Sequence, residues 1–283
     1  MRLKHPCAIP AGVRFRTLAF WQAAGLGSLL AFGISQRAGA QVLLDDFNRP
    51  TSTTVGGGWT ETETAASGAQ IIAAQQLQMG SATAGRDYIF QDMSAAGLYL
   101  PTFNSNTCLM TWAFCMRQSR PIGTPPSGFD AGNYGVAFVL GATSSNFIGA
   151  GVQGYAVVLG GAATPKALRL VRFTNGLALN ANLTNVISAV APAANLSNEY
   201  LAVKVTFDPV TGNWQMFTST LAAGTFSTTN PTTAASAVGS AVNTTYTGIS
   251  LPFTGCFWNH STGATENALF DNIYVPQNCT PTV

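Results

Sequence analysis

Between Cys108 and Met116 the chain reads C-L-M-T-W-A-F-C-M, which sets Met110, Trp112, Phe114 and Met116 against the smaller Thr111 and Ala113. A two-residue repeat of large and small side chains fits a β-strand, whose successive side chains point to opposite faces, and it leaves one face for a core. The same alternation recurs in Val136-Phe138-Leu140, Tyr155-Val157-Leu159, Leu168-Leu170-Arg172 and Leu201-Val203-Val205-Phe207. Beyond residue 40 no comparable stretch repeats at helical spacing. Turn chemistry separates the runs. In Phe207-Asp208-Pro209-Val210-Thr211-Gly212-Asn213-Trp214, Pro209 presets φ and Gly212 can take a left-handed position, which predicts a hairpin with antiparallel flanking strands. A second hairpin is expected from Gly154–Leu159 and Ala167–Phe173 across the turn 160–165. Many short strands joined by Gly, Pro and Asn turns predict an all-β sandwich or barrel.

The first 40 residues stand apart. Arg2, Lys4, Arg14 and Arg16 precede a mostly apolar run over 17–35, and Ala38-Gly39-Ala40 offers a small-x-small cleavage site before Gln41. This is the pattern of a secretory signal peptide, with one domain expected over 41–283 that does not span a membrane after cleavage. Five of the 13 basic residues (Arg2, Lys4, Arg14, Arg16, Arg37) fall in the leader, leaving 8 against 11 acidic residues and a net charge of −3. No Lys/Arg cluster remains to neutralise a phosphate backbone, so nucleic acid is an unsuitable partner.

Four cysteines follow the leader: Cys108, Cys115, Cys256 and Cys279. In an exported chain they permit two disulfides in three connectivities. Cys108 and Cys115 differ in parity along one strand, so the expected pairings join that strand to Cys256 and Cys279. Two long segments, 117–133 and 219–245, read as an exposed connection and as a loop or weak edge strand.

Near the two ends stand Leu44-Asp45-Asp46-Phe47-Asn48-Arg49-Pro50 and Leu269-Phe270-Asp271-Asn272-Ile273-Tyr274-Val275. Both place an acid beside large apolar residues, and they are expected to pair as neighbouring first and last strands. By parity Asp45 should share a face with Leu43 and Phe47 while Asp46 opposes them. These strings resemble the concanavalin A-like (laminin G-like) jelly rolls of secreted bacterial proteins. So do Gly57-Gly58-Trp59, Gly154-Tyr155-Ala156-Val157 before Leu168-Arg169-Leu170, and Val203–Asp208 before Gly212-Asn213-Trp214. The resemblance covers most of the chain after residue 40. It implies two curved antiparallel sheets stacked face to face, with the terminal strands adjacent. It also implies a calcium site where those strands meet, with Asp271 and Asp45 or Asp46 as ligands, an ion suited to carboxylate and carbonyl oxygens.

Residues that would carry other chemistry are scarce. After the leader there is one histidine, His260, and no Cys-x-x-Cys, so a zinc site has little material. No Gly-x-Ser-x-Gly presents a nucleophile, and His260 reads as a loop residue. Glycoside hydrolases of related fold carry a Glu-x-Asp-x-x-Glu strand that is missing here. The nearest substitute is Glu61 and Glu63, two residues apart on a strand, the weak catalytic alternative. Sugar recognition stacks rings and bonds hydroxyls, and the candidates at strand ends and loops are Trp59, Arg86, Tyr99, Tyr134, Trp258 and Asn259. Trp112 and Trp214 read as core. Asn-x-Ser/Thr sequons at Asn182, Asn195, Asn243, Asn259 and Asn278 matter only after export from a eukaryotic cell. The reading is a secreted or envelope-associated, non-catalytic module that binds a polysaccharide or cell-surface glycan. A divergent glycoside hydrolase and a purely structural or adhesive protein are the alternatives.

Overall fold

The computed structural model describes residues 39–119, 128–160, 168–188, 199–262 and 266–277. The signal-peptide reading of residues 1–38, the turn at 161–165, Asn195, Asn278 and Cys279 lie outside them. The strands are β1 (Gln41–Asp45), β2 (Thr60–Thr62), β3 (Ala69–Ile71), β4 (Leu77–Met79), β5 (Gly85–Asp92), β6 (Met110–Gln118), β7 (Gly135–Ala142), β8 (Gln153–Leu159), β9 (Leu168–Thr174), β10 (Leu183–Ser188), β11 (Tyr200–Asp208), β12 (Asn213–Leu221), β13 (Ser236–Val242), β14 (Phe253–His260) and β15 (Ala268–Pro276). The one α-helix among the described residues is a single turn at Met93–Ala96.

Two antiparallel sheets result. One runs β13-β12-β11-β6-β15-β4-β3, with β1 also on β15, and the other runs β10-β9-β8-β7-β14-β5-β2. Their inner faces interlock through Phe114 on Phe138, with ring centroids 4.1 Å apart, and Tyr155 on Trp214 at 4.7 Å. Trp112 and Trp214 stack 6.0 Å apart, fully buried, as their place in the alternation requires. This is the concanavalin A-like jelly roll. The predicted hairpin joins β11 to β12, with Gly212 at φ 69°. Asp208 fixes the turn by accepting from the Val210 N–H (3.0 Å) and the Thr211 hydroxyl. Segment 219–245 holds both expected features: β13 is an edge strand, preceded by short 3₁₀ turns at Phe226–Thr228 and Pro231–Thr233.

The terminal strands pair antiparallel, Val42 opposite Val275 and Leu43 opposite Tyr274. Strict parity fails there, because a bulge between Leu43 and Asp45 shifts the register. Leu43 therefore points out, 41% exposed, while Asp45 and Phe47 turn in. The cysteine reading also needs correction. Cys115 and Cys256 are free and buried, so two bridges do not form from the four sulfurs. The two lie on different faces: Cys115 on the outer side of the larger sheet with Phe226 and Leu269, Cys256 in the inter-sheet core.

Candidate functional site

On the smaller sheet, β5 and β14 turn Ile89, Cys256 and Trp258 inward, which leaves Arg86, Tyr88, Phe90, Phe253, Phe257 and Asn259 facing away from the sandwich. That outer face is not bare. Loop 143–152 lays Phe147 against Tyr88 (5.3 Å between centroids) and edge-on to Phe90 (6.3 Å), and loop 128–134 stacks Phe129 on Phe257 (6.0 Å). Both faces of these strands are therefore buried, with loops as the outer layer.

Polar side chains pin the loops. The Asn259 amide, 1% exposed, donates to the carbonyls of Gly128 (2.9 Å), Asp130 (3.0 Å) and Asn133 (3.0 Å). Arg86 Nη2 donates to the carbonyls of Ala178 (2.9 Å) and Phe129 (3.3 Å), so the side chain ties loop 128–134 to loop 175–182. Burial lowers the Arg86 pKa, and the Asp130 carboxylate opposes that shift. Asp130 accepts from the Asn180 N–H (3.0 Å) and from its Nδ2 (2.5 Å), while Asn180 Oδ1 accepts the Phe129 N–H at 3.0 Å. Only glycine fits at position 128: its φ is 150°, and a Cβ there would lie 2.5 Å from the Asn180 amide. Across the face, Tyr88 Oη donates to Oδ1 of exposed Asn146 (3.2 Å). The result is a rim of Asp130, Asn133, Asn146, Asn180 and Asn182 over an aromatic floor, with Leu179 48% exposed beside it. Fixed amides and a carboxylate can exchange hydrogen bonds with a polyol without carrying a reaction.

Beneath this end, on the inner side, His260 Nε2 donates to Asp87 Oδ2 at 2.9 Å, and Asp87 Oδ1 accepts the Thr64 N–H at 2.6 Å. Both side chains are buried. His260 is the last residue of β14 and not a loop residue, because cross-strand pairing with β5 continues through it. Trp258 stacks on Tyr134 (5.6 Å) and His260 (6.2 Å).

Arg86, Tyr134, Trp258 and Asn259, far apart in sequence, thus converge on one end of the smaller sheet. Arg86 and Asn259 organise its rim. Tyr134 and Trp258, at most 1% exposed, spend their ring faces inside, so they support the site without stacking on a ligand. Trp59 and Tyr99 are elsewhere. Trp59 stacks on Phe47 and donates its indole N–H to Asp45. Tyr99 packs edge-on to Phe103 and Trp112 in the core, where burial pushes its hydroxyl pKa up. Glu61 and Glu63 do not share a strand, since β2 ends at Thr62. Glu61 accepts the Val55 N–H (2.7 Å) and Glu63 the Ala69 N–H (2.5 Å), so each carboxylate fastens a loop. Burial raises the Glu63 pKa, with Glu61 and Asp87 adding to the rise. Sequence reading missed Asp130, Asn180 and the Asp87–His260 pair. The one available signal was the density of Asn and Asp beside glycines at 128–133 and 175–182.

The seam of the terminal strands is a second polar region. Asp45 is fully engaged: Oδ1 accepts from the Phe47 N–H (2.7 Å) and Arg49 Nη1 (2.8 Å), Oδ2 from Arg49 Nη2 (2.8 Å) and Trp59 Nε1 (2.7 Å). That saturation withdraws Asp45 from the expected calcium ligands. Asp271 differs. It is fully buried; Oδ1 accepts the Asn272 N–H (2.8 Å), while Oδ2 has no partner. Burial pushes its pKa up to about 7, and the charges of Asp46 and Asp45 add to the rise. Phe47 (φ 49°) and Asn272 (φ 50°) hold left-handed backbone on either side, uncommon for a ring residue. An orphaned carboxylate oxygen beside Asp46 suits a hard cation, although no group of three His, Cys, Asp or Glu side chains assembles among the described residues.

No protein-family model and no curated protein matches the chain. Solved structures do. The Emp46p carbohydrate recognition domain in its potassium-bound form aligns with a TM-score of 0.55 at 10% identity, over 84% of this chain and 97% of that one. The VIP36 exoplasmic/lumenal domain, Ca2+/Man2-bound, aligns at 0.53 and 9% identity over 85% and 89%. Lectin II from Ulex europaeus aligns at 0.50 and 12% identity over 78% and 93%. These likenesses agree with the jelly roll found in the strand order.

Proposed function

We propose that the chain is an exported, non-catalytic, lectin-like module that binds a polysaccharide or cell-surface glycan at the loop rim of the smaller sheet. The observation that carries the reading is the pinned rim of Asp130, Asn180 and Asn146 over aromatic residues, in a fold shared with carbohydrate recognition domains. Such a rim offers preorganised hydrogen bonds, and preorganisation lowers the ordering cost of binding. Export fits the leader pattern of residues 1–40 and the low charge that follows it. No described helix is long and apolar enough to cross a membrane.

Calcium belongs to the same proposal. Asp271 and Asp46 would hold it, and its charge would stabilise the Asp271 carboxylate and lock the terminal strands together. A glycan array with the full-length chain, run with calcium and with EDTA, tests both parts. Binding to one glycan class that Asn180→Ala weakens at unchanged melting temperature supports the rim, and a blank array from folded protein overturns it. A calcium-induced rise in melting temperature that Asp271→Asn abolishes supports the metal, whereas an equal rise in wild type and variant overturns it.

A further inference from the structure

Opposite the rim, the outer surface of the larger sheet carries one cross-strand row in continuous register. Leu43 pairs with Tyr274, Tyr274 with Ala113, Ala113 with Lys204, Lys204 with Phe217, and Phe217 with Ala237. All six point outward, because their strand neighbours Ile273, Val275, Phe114, Val203, Val205 and Met216 belong to the inter-sheet core. Leu43 and Ala237 are exposed, and Tyr274, Lys204 and Phe217 are half-buried. Ala113 keeps the middle of the row low.

Polar or closed ground flanks the row on each side. On one side Phe226 and Ala234 cover Cys115, Ala202 and Leu269, and the Asn272 amide holds that cover by donating to the carbonyls of Phe226 (2.6 Å) and Thr229 (3.0 Å). On the other side Thr111, Thr206 and Gln215 form the next row in register. Tyr274 and Phe217 stand three strand intervals apart, about 14 Å at the usual interstrand spacing. Lys204 lies between them in the row, its Nζ 4.8 Å from the centre of the Phe217 ring, and it forms no ion pair among the described residues.

We propose that this row binds a linear acidic polysaccharide. Uronate carboxylates meet the Lys204 ammonium, the sugar rings lie along Tyr274 and Phe217, and hydroxyls reach the exposed Gln215. The unpaired cation selects the acidic class: apart from residues 1–40 the chain is net acidic, yet this flat row presents an ammonium and no carboxylate. A second copy of the chain is a worse occupant, because a symmetric contact would bury Lys204 without an anion to answer it. The site is separate from the loop rim and does not depend on it.

Affinity electrophoresis of the native full-length chain through gels containing polygalacturonate or neutral dextran tests the row. The expected result is retardation by polygalacturonate alone, relieved by high salt, with the apparent Kd raised about tenfold in Lys204→Gln and in Phe217→Ala. Lys204→Gln at unchanged melting temperature is the deciding variant, since Phe217 also packs on its neighbours. Equal retardation in dextran, no retardation in either gel, or undiminished binding by Lys204→Gln would each overturn the proposal.

Discussion

Asp87 beneath the loop rim and Asp271 at the terminal seam are both fully buried carboxylates on strands, and the protein treats them in opposite ways. Asp87 has a partner for each oxygen: the His260 ring on one and the Thr64 N–H on the other. Asp271 has the Asn272 N–H on one oxygen and nothing on the other. Burying a charge is costly unless it is paired and hydrogen-bonded, so the first arrangement is finished and the second is held open. The rim end is built to keep one shape. The seam is built to respond to what arrives there, a proton or a cation.

The largest effect that would break this contrast is at the finished site. Replacing His260 by Ala strands Asp87 in the sandwich interior, and removing one partner of a buried pair costs about 3–5 kcal/mol. Urea unfolding followed by tryptophan fluorescence should show a lower midpoint at unchanged slope. A loss below about 1 kcal/mol would mean that water reaches Asp87 and that the rim end is as open as the seam.

A smaller loss is expected one residue away. Asn259→Ala leaves the carbonyls of Gly128, Asp130 and Asn133 without their shared donor, at a cost of about 1–3 kcal/mol. Stability is the lesser readout. Freed of its latch, loop 128–134 should exchange its amide hydrogens faster while the β11–β12 hairpin stays protected, and glycan affinity should fall with it. Uniform loss of protection across both sheets would show Asn259 to be a general packing residue instead of a latch for the rim.

The two regions also differ in how far they could be read from sequence. Alternation located β6, β7, β8, β9 and β11, and turn chemistry supplied β12 as the hairpin partner of β11, because each of those features lies within one short window. The terminal pairing was legible as well, but its bulge was not: one extra residue between Leu43 and Asp45 puts Leu43 on the face opposite Asp45 and Phe47, where strict parity had placed all three together. Loops over the smaller sheet were hidden for a different reason. Alternation assumes one wet face, whereas Phe257 and Tyr88 face outward and are buried again under Phe129 and Phe147. Arg86 and Asn259 could be suspected as polar residues beside rings, yet their partners are carbonyls of distant loops that no local pattern specifies. The Asp87–His260 contact joins residues 173 positions apart. No spacing rule reaches across that distance. Trp59 and Tyr99 misled because an aromatic residue near a strand end can as well close a core as bind a sugar.

The most delicate test lies at the seam, in the dependence of stability on pH without calcium. An unfolded Asp titrates near 3.8, whereas Asp271 in the folded chain titrates near 7. Between those values the native state holds a proton that the unfolded state has released, so stability falls as pH rises through that window and levels off above it. Other carboxylates superimpose their own slopes, and the difference between wild type and Asp271→Asn isolates this one. Denaturant midpoints measured in EDTA from about pH 4 to pH 8 should converge at the acidic end and separate toward neutrality, the Asn variant becoming the more stable of the two. Calcium should close that gap by supplying, in place of the proton, the positive charge that offsets the buried carboxylate. Parallel curves for the two proteins would show that Oδ2 of Asp271 is answered in solution, and the seam would then be as finished as the rim.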